Sequence, residues 1–148
     1  DIVVEKNALF FSNNQNEFFS LDAQTGNLNW KQEINSNLRP VIINDLIFTV
    51  TLEGYLVIVE KNSGNIVRSN YLLNQFKKKK RPDIEPTGFI IGNKNIYLSN
   101  NIGRLSVIDI ATGVTRNILK IDNKKISRPA IFNKNLYIIS NNSIIKLD

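Results

Sequence analysis

The chain has 148 residues, and its 42% hydrophobic and 22% charged content describes a globular domain, or part of a larger one, and argues against a disordered chain. It has no Cys and no His, which excludes a disulfide scaffold, a Cys-ligated zinc site, a thiol nucleophile and a Ser-His-Asp triad, and removes the commonest metal ligand. No apolar run approaches the ~18 residues of a membrane helix, and the net charge of +6 favours anionic partners.

The basic residues are scattered except for Lys77, Lys78, Lys79 and Lys80, followed by Arg81. Asn, Ile and Lys are all frequent, so part of the basic excess reads as the codon usage of an AT-rich genome. With no Met, the chain is expected to be a processed product, an excised domain or a fragment.

In chain order the same unit recurs. From Asp1 the chain reads DIVVEKNALFFSNNQNEFFSLDAQTGNLNW, and from Pro40 PVIINDLIFTVTLEGYLVIVEKNSGNIVRS. From Pro86 it reads PTGFIIGNKNIYLSNNIGRLSVIDIATGVTRN, and from Pro129 PAIFNKNLYIISNNSIIKLD. Each unit has an apolar start, a polar turn, an apolar run, a second turn and another apolar run. The full units then carry an acidic residue and a Thr/Ser-Gly turn. Gly26, Gly64 and Gly113 are 38 and 49 residues apart, and the excess over ~40 lies in Gln75–Glu85 (QFKKKKRPDIE). A unit of ~40 residues with four short strands is the mark of a β-propeller blade.

NALFF, NDLIFTV, NKNIYLS and NKNLYIIS are β-rich runs led by turn residues. EFFSLD, YLVIVE, RLSVID and IIKLD follow, after the pairs QN, EG, IG and NS, where Gly and Asn accept positive φ. No stretch sustains a 3.6-residue apolar period, so almost no helix is expected. The predicted fold is all-β: three four-stranded antiparallel blades at about 1–39, 40–85 and 86–128, and a partial fourth at 129–148 that lacks its last strand. On this reading Asp148 stands near the natural C-terminus and an N-terminal portion is absent. The alternative is that two copies pair, as a homodimer, into one eight-bladed ring.

The turn segment SLDAQTGNLNW, Ser20–Trp30, resembles the repeat of pyrroloquinoline-quinone (PQQ) propellers, A-x-D-x-x-T-G-x-x-x-W. Asp22, Thr25, Gly26 and Trp30 match. The second unit keeps Glu60, Ser63 and Gly64 but has Arg68 at the Trp position. The third keeps Asp109, Thr112 and Gly113 with Asn117 there. The carboxylate is expected to accept unladdered turn N–H groups, the hydroxyl to close the turn, Gly to take the left-handed position, and Trp30 to dock between blades. Because they recur once per unit, these residues are read as structural rather than catalytic.

Two families share such a repeat. Resemblance to quinoprotein dehydrogenases would imply a PQQ cofactor in the central funnel beside Ca²⁺. Those enzymes are far longer, and their alcohol-oxidising members carry a vicinal Cys pair that this chain lacks. The chain is also similar to the BamB-like lipoproteins, which assist assembly of outer-membrane β-barrel proteins. That resemblance implies a non-catalytic scaffold without cofactor or metal. It places the protein in the periplasm, with any lipid anchor outside this chain, and gives it the barrel-assembly machinery as partner. A Leu/Arg loop between blades is part of that family's contact. SNLRP offers Leu38 and Arg39 at one junction, and Lys77–Arg81 stand at the next. Nucleic acid is not expected, because Phe76 is the only aromatic interleaved with the lysines. A generic propeller interaction or sensor domain is the third reading.

Overall fold

A computed structural model describes residues 1–13 and 15–147. Asp148, and with it the expectation about the C-terminus, lies outside the described residues. The fold is a partial β-propeller of four antiparallel sheets, with four, four, four and three strands. The first sheet contains β1 (Ile2–Glu5), β2 (Ala8–Ser12), β3 (Glu17–Asp22) and β4 (Leu28–Glu33). The second contains β5 (Val41–Ile43), β6 (Leu46–Val50), β7 (Tyr55–Glu60) and β8 (Ile66–Tyr71). The third contains β9 (Pro86–Gly92), β10 (Asn95–Asn100), β11 (Arg104–Asp109) and β12 (Thr115–Lys120). The last contains β13 (Ala130–Phe132), β14 (Asn135–Ser140) and β15 (Ser143–Leu147). In every sheet the strands pair with their sequence neighbours.

The repetition extends to detail. The first two strands of each sheet are joined by two residues, as in Asn93-Lys94 and Asn133-Lys134, both at positive φ. That backbone matches the right-handed twist of the flanking strands, and Asn tolerates it best after Gly. Besides a register shift between Ser99 and Asn100 in the third sheet, each complete sheet has one between its third and fourth strands, between Ser20 and Leu21, Ile58 and Val59, and Val107 and Ile108. The extra residue there is Asn29, Val67 or Arg116 on the fourth strand, a recurring β-bulge that re-aims the strand's outer end.

The chain forms two compact units, one from Asp1 to Tyr71 and one from Leu72 onward. The core of the first gathers Phe10, Phe18, Trp30, Ile34, Ile47, Val57 and Val59. That of the second gathers Leu105, Ile126, Leu136 and Ile138. The only helical segments among the described residues are two 3₁₀ turns, Leu73–Gln75 and Lys78–Asp83, and both fall at the insertion. None of the described helices is long and apolar enough to cross a membrane.

Candidate functional site

The recurring acidic residues each close their own turn. Asp22 Oδ1 accepts the N–H groups of Gln24 (3.0 Å) and Thr25 (2.7 Å) and the Thr25 hydroxyl (2.9 Å). Thr25 Oγ1 in turn accepts the Asn27 N–H at 3.2 Å. In the second unit the Glu60 carboxylate accepts the N–H groups of Asn62 (3.2 Å) and Ser63 (2.6 Å), and Ser63 Oγ accepts that of Asn65. In the third, Asp109 Oδ1 accepts the N–H (2.7 Å) and hydroxyl (2.9 Å) of Thr112. Arg116, from the bulge, pairs with Oδ2 of the same carboxylate.

These donors favour the charged form. The backbone N–H of Thr25, then its hydroxyl, holds the Asp22 carboxyl below the usual range. Thr112 does the same for Asp109, again through N–H before hydroxyl. The Ser63 hydroxyl, then its N–H, lowers Glu60. Three carboxylates engaged in this way hold turns shut and are poor proton donors.

Trp30 joins the first sheet to the second. Its Nε1–H donates to the Lys61 carbonyl at 2.8 Å, and Gln32 on the same strand donates to the Gly64 carbonyl at 2.7 Å. The indole lies so close over Gly64 that a Cβ there would stand 2.6 Å from Trp30 Cδ2. Gly64 therefore serves twice, at φ +75° and as the floor under the ring. Gly26, at φ +73°, has nothing within 4 Å of its would-be Cβ. Phe10 and Phe18 tilt against the indole at centroid distances of 6.1 and 5.7 Å. Lys61 completes the joint, its ammonium 3.1 Å from Glu5 and 3.7 Å from Asp45.

The junction residues separate into two kinds. Leu38 is buried at 8% exposure, whereas Arg39 is exposed. The loop is fixed by Ser36, a buried hydroxyl that donates to the Val50 carbonyl (2.7 Å) and accepts from Leu38 N–H and Thr49 Oγ1. Arg128 stands before a Pro as Arg39 does, yet it turns inward and donates from Nε to the Phe89 carbonyl at 3.1 Å. In the second unit Lys77, Lys78, Lys79 and Lys80 are all exposed, Lys77 just before the 3₁₀ turn and the other three on it. Arg81 is half-buried and ties the loop, donating to the carbonyls of Phe76 (2.9 Å) and Asn74 (3.0 Å). Asn101 holds the loop's far end through Asp83 O and Glu85 N–H. The four lysines thus project from an anchored segment. Arg39 belongs to the first unit and the lysines to the second.

Asp122 was not singled out by the sequence. It lies in the connection between the third and fourth sheets, outside the repeat, where no pattern marks it. Its carboxylate accepts from the Ser140 hydroxyl and from Asn141 Nδ2 (2.6 Å), and its carbonyl accepts from Arg104 at 2.6 Å. The Ser140 hydroxyl, then the Asn123 N–H, holds its carboxyl below the usual range.

Comparison with known proteins agrees with this architecture. A family model described as outer membrane protein assembly factor BamB matches residues 1–70. The crystal structure of BamB from Moraxella catarrhalis superposes with TM-score 0.77 at 14% identity, covering 98% of this chain and 41% of that one. The computationally designed Ika4 protein gives 0.75 at 10% identity, over 99% of this chain and 88% of that one. Quinohemoprotein alcohol dehydrogenase ADHIIG from Pseudomonas putida gives 0.63 at 16% identity, over 77% and 19%. At these identities the likeness is one of fold, and the chain spans about two-fifths of the Moraxella protein. No curated protein matches.

Proposed function

We propose that this chain, a BamB-like PQQ-repeat propeller, is a non-catalytic scaffold for protein–protein interaction that assists assembly of outer-membrane β-barrel proteins. The family-model match over residues 1–70 carries the reading. The engagement of Asp22, Glu60 and Asp109 in their own turns supports it, since the acidic residues that recur have a structural use. We place the protein in the periplasm at the outer membrane and take the barrel-assembly machinery as its partner.

Arg39 and Lys77–Lys80 are the proposed contacts. Arg39 is an exposed guanidinium on a loop fixed by a buried serine, so little conformational entropy is lost when it engages a carboxylate. Leu38 packs inward and positions the loop. Binding of the periplasmic domains of the barrel-assembly protein should weaken as salt rises, because exposed charges are screened over about 8–10 Å at physiological ionic strength. Arg39→Glu, or deletion of Lys77–Lys80, should abolish most of it. Undiminished binding by both variants would contradict the contact assignment.

The second reading, a quinoprotein dehydrogenase fragment, rests on the Pseudomonas putida fold likeness. The residues present do not fit it well. Trp30, the single Trp, is committed face-on to Gly64 and through its N–H to Lys61, which leaves no free indole face for a quinone. Absorbance titration with PQQ and Ca²⁺ separates the readings: saturable binding favours the dehydrogenase, its absence the scaffold.

A further inference from the structure

We propose that a groove in the first unit, where the first sheet's exit meets the second sheet, docks an extended peptide segment of a partner protein that carries a cationic side chain beside an apolar one. The groove encloses about 450 Å³. Its floor is apolar and packed: Ile34 and Val57 are 3% and 5% exposed. Its walls are apolar and open: Tyr55 and Ile66 are 42% and 49% exposed. Its two charged lining residues are Glu33 and Glu53, both exposed.

The charge is the informative part. The chain as a whole carries +6, yet the groove presents carboxylates and no lysine or arginine. Neither Glu33 nor Glu53 forms an ion pair among the described residues, although Lys31, two residues before Glu33 on β4, acts on Glu33 electrostatically from outside the groove lining. Glu17, opposite Glu33 in the strand register, is by contrast paired with Lys31 at 2.8 Å. Glu53 is oriented by a hydrogen bond from Asn35 Nδ2. The groove thus has two carboxylates in its lining and an apolar floor, on a molecule that is basic as a whole.

Strand geometry defines the ligand. Tyr55 and Val57 alternate onto one face of β7, and their cross-strand partners on β8 are Tyr71 and Ser69. The Tyr55 ring lines the groove, tilted against Tyr71 behind it at a centroid distance of 4.8 Å, and offers a cation an aromatic surface. An extended peptide repeats its side chains on one face every second residue. Such a peptide sets an aliphatic group on Ile34 and Val57 while an ammonium or guanidinium reaches the carboxylates. This surface does not include Arg39 or the lysine run, so it is a second interaction face beyond the proposed scaffold contact.

The test uses the 148-residue chain and two fluorescein-labelled hexapeptides read by fluorescence anisotropy. One alternates Lys with Val and Phe, and the other has Glu in place of every Lys. The Lys peptide should bind, and the Glu peptide at least about tenfold more weakly, as expected when like charges replace a complementary pair. The E33Q/E53Q double variant should weaken the Lys peptide about fivefold, two exposed charge pairs being lost. Tyr55→Ala should weaken it as well, and Arg39→Glu should leave it unchanged. Circular dichroism melting of each variant reports folding separately, and the exposed E33Q/E53Q pair should melt with the parent. Equal binding of both peptides, binding of neither, or indifference to E33Q/E53Q would overturn the proposal. So would a homodimer, seen by light scattering, that dissolves on E33Q/E53Q and on deletion of Lys77–Lys80, since a second copy would then be the occupant.

Discussion

The two units hold their neighbouring sheets together by different chemistry. In the first, an aromatic ring crosses the joint: Trp30 lies on Gly64, donates to Lys61 O and is backed by Phe10 and Phe18. In the second, the same strand position is Asn117, and a polar clasp, in which Asp122 takes hydrogen bonds from Ser140 and Asn141, stands beside the aliphatic cluster of Leu105, Ile126, Leu136 and Ile138. The repeat therefore preserves the blade and its turn, while the joint between blades is open to substitution. A large indole fills a joint with apolar area and one directed hydrogen bond. In the second unit the apolar packing of Leu105, Ile126, Leu136 and Ile138 remains, and the carboxylate adds directed hydrogen bonds whose contribution depends on pH.

Breaking the aromatic joint should have the largest effect. Trp30→Ala removes a side chain only 8% exposed, and such truncations cost about 3–5 kcal/mol. Urea unfolding followed by circular dichroism should show the midpoint fall sharply, and an unchanged midpoint would mean the indole is not packed as described. Gly64→Ala comes next, because its Cβ has no room beside Trp30 as well as an unfavourable φ. Gly26→Ala meets only the φ penalty, about 1–2 kcal/mol. The pair is a direct comparison by thermal melting: equal losses would show that the ring does not press on Gly64. Asp122→Ala should lower the melting temperature less than Trp30→Ala and should leave the Trp30 fluorescence maximum unmoved.

Acid should distinguish the two chemistries most gently. Asp22, Glu60, Asp109 and Asp122 are all held below the usual carboxylate range in the fold. Each binds its proton less tightly folded than unfolded, so its stabilisation is complete above the unfolded value of about 4. It is lost as pH falls from there through the lowered folded value. Stability measured from pH 6 to pH 2 should decline mainly below about pH 4, and Asp122→Ala should flatten the decline.

Much of the fold was readable because its signals are local and recur. Asn or Gly at each strand junction, and Asp or Glu three residues before a Thr/Ser-Gly pair, give the turns, and the turns give the strands. Even the three strands of the last sheet are visible in PAIFNKNLYIISNNSIIKLD. What escaped the reading depends on backbone partners or distant residues. The acceptor for Trp30 is a carbonyl 31 residues away, which no side-chain identity reveals. Arg39 and Arg128 both precede a Pro, and only the surrounding backbone decides that one is exposed and the other turned onto Phe89 O. Leu38 is buried beside the exposed Arg39, a difference set by packing rather than by the local sequence. Arg81 ends the lysine run in sequence, and its guanidinium reaches back to the carbonyls of Phe76 and Asn74. Glu33 and Glu53 are 20 residues apart and meet only across a joint.

The scaffold reading is tested most directly by amide hydrogen exchange on the chain with and without the periplasmic domains of the barrel-assembly protein. The account predicts new protection across residues 36–40 and 75–85, lost at high salt and in Arg39→Glu. Protection elsewhere only, or none at saturating partner, would contradict it.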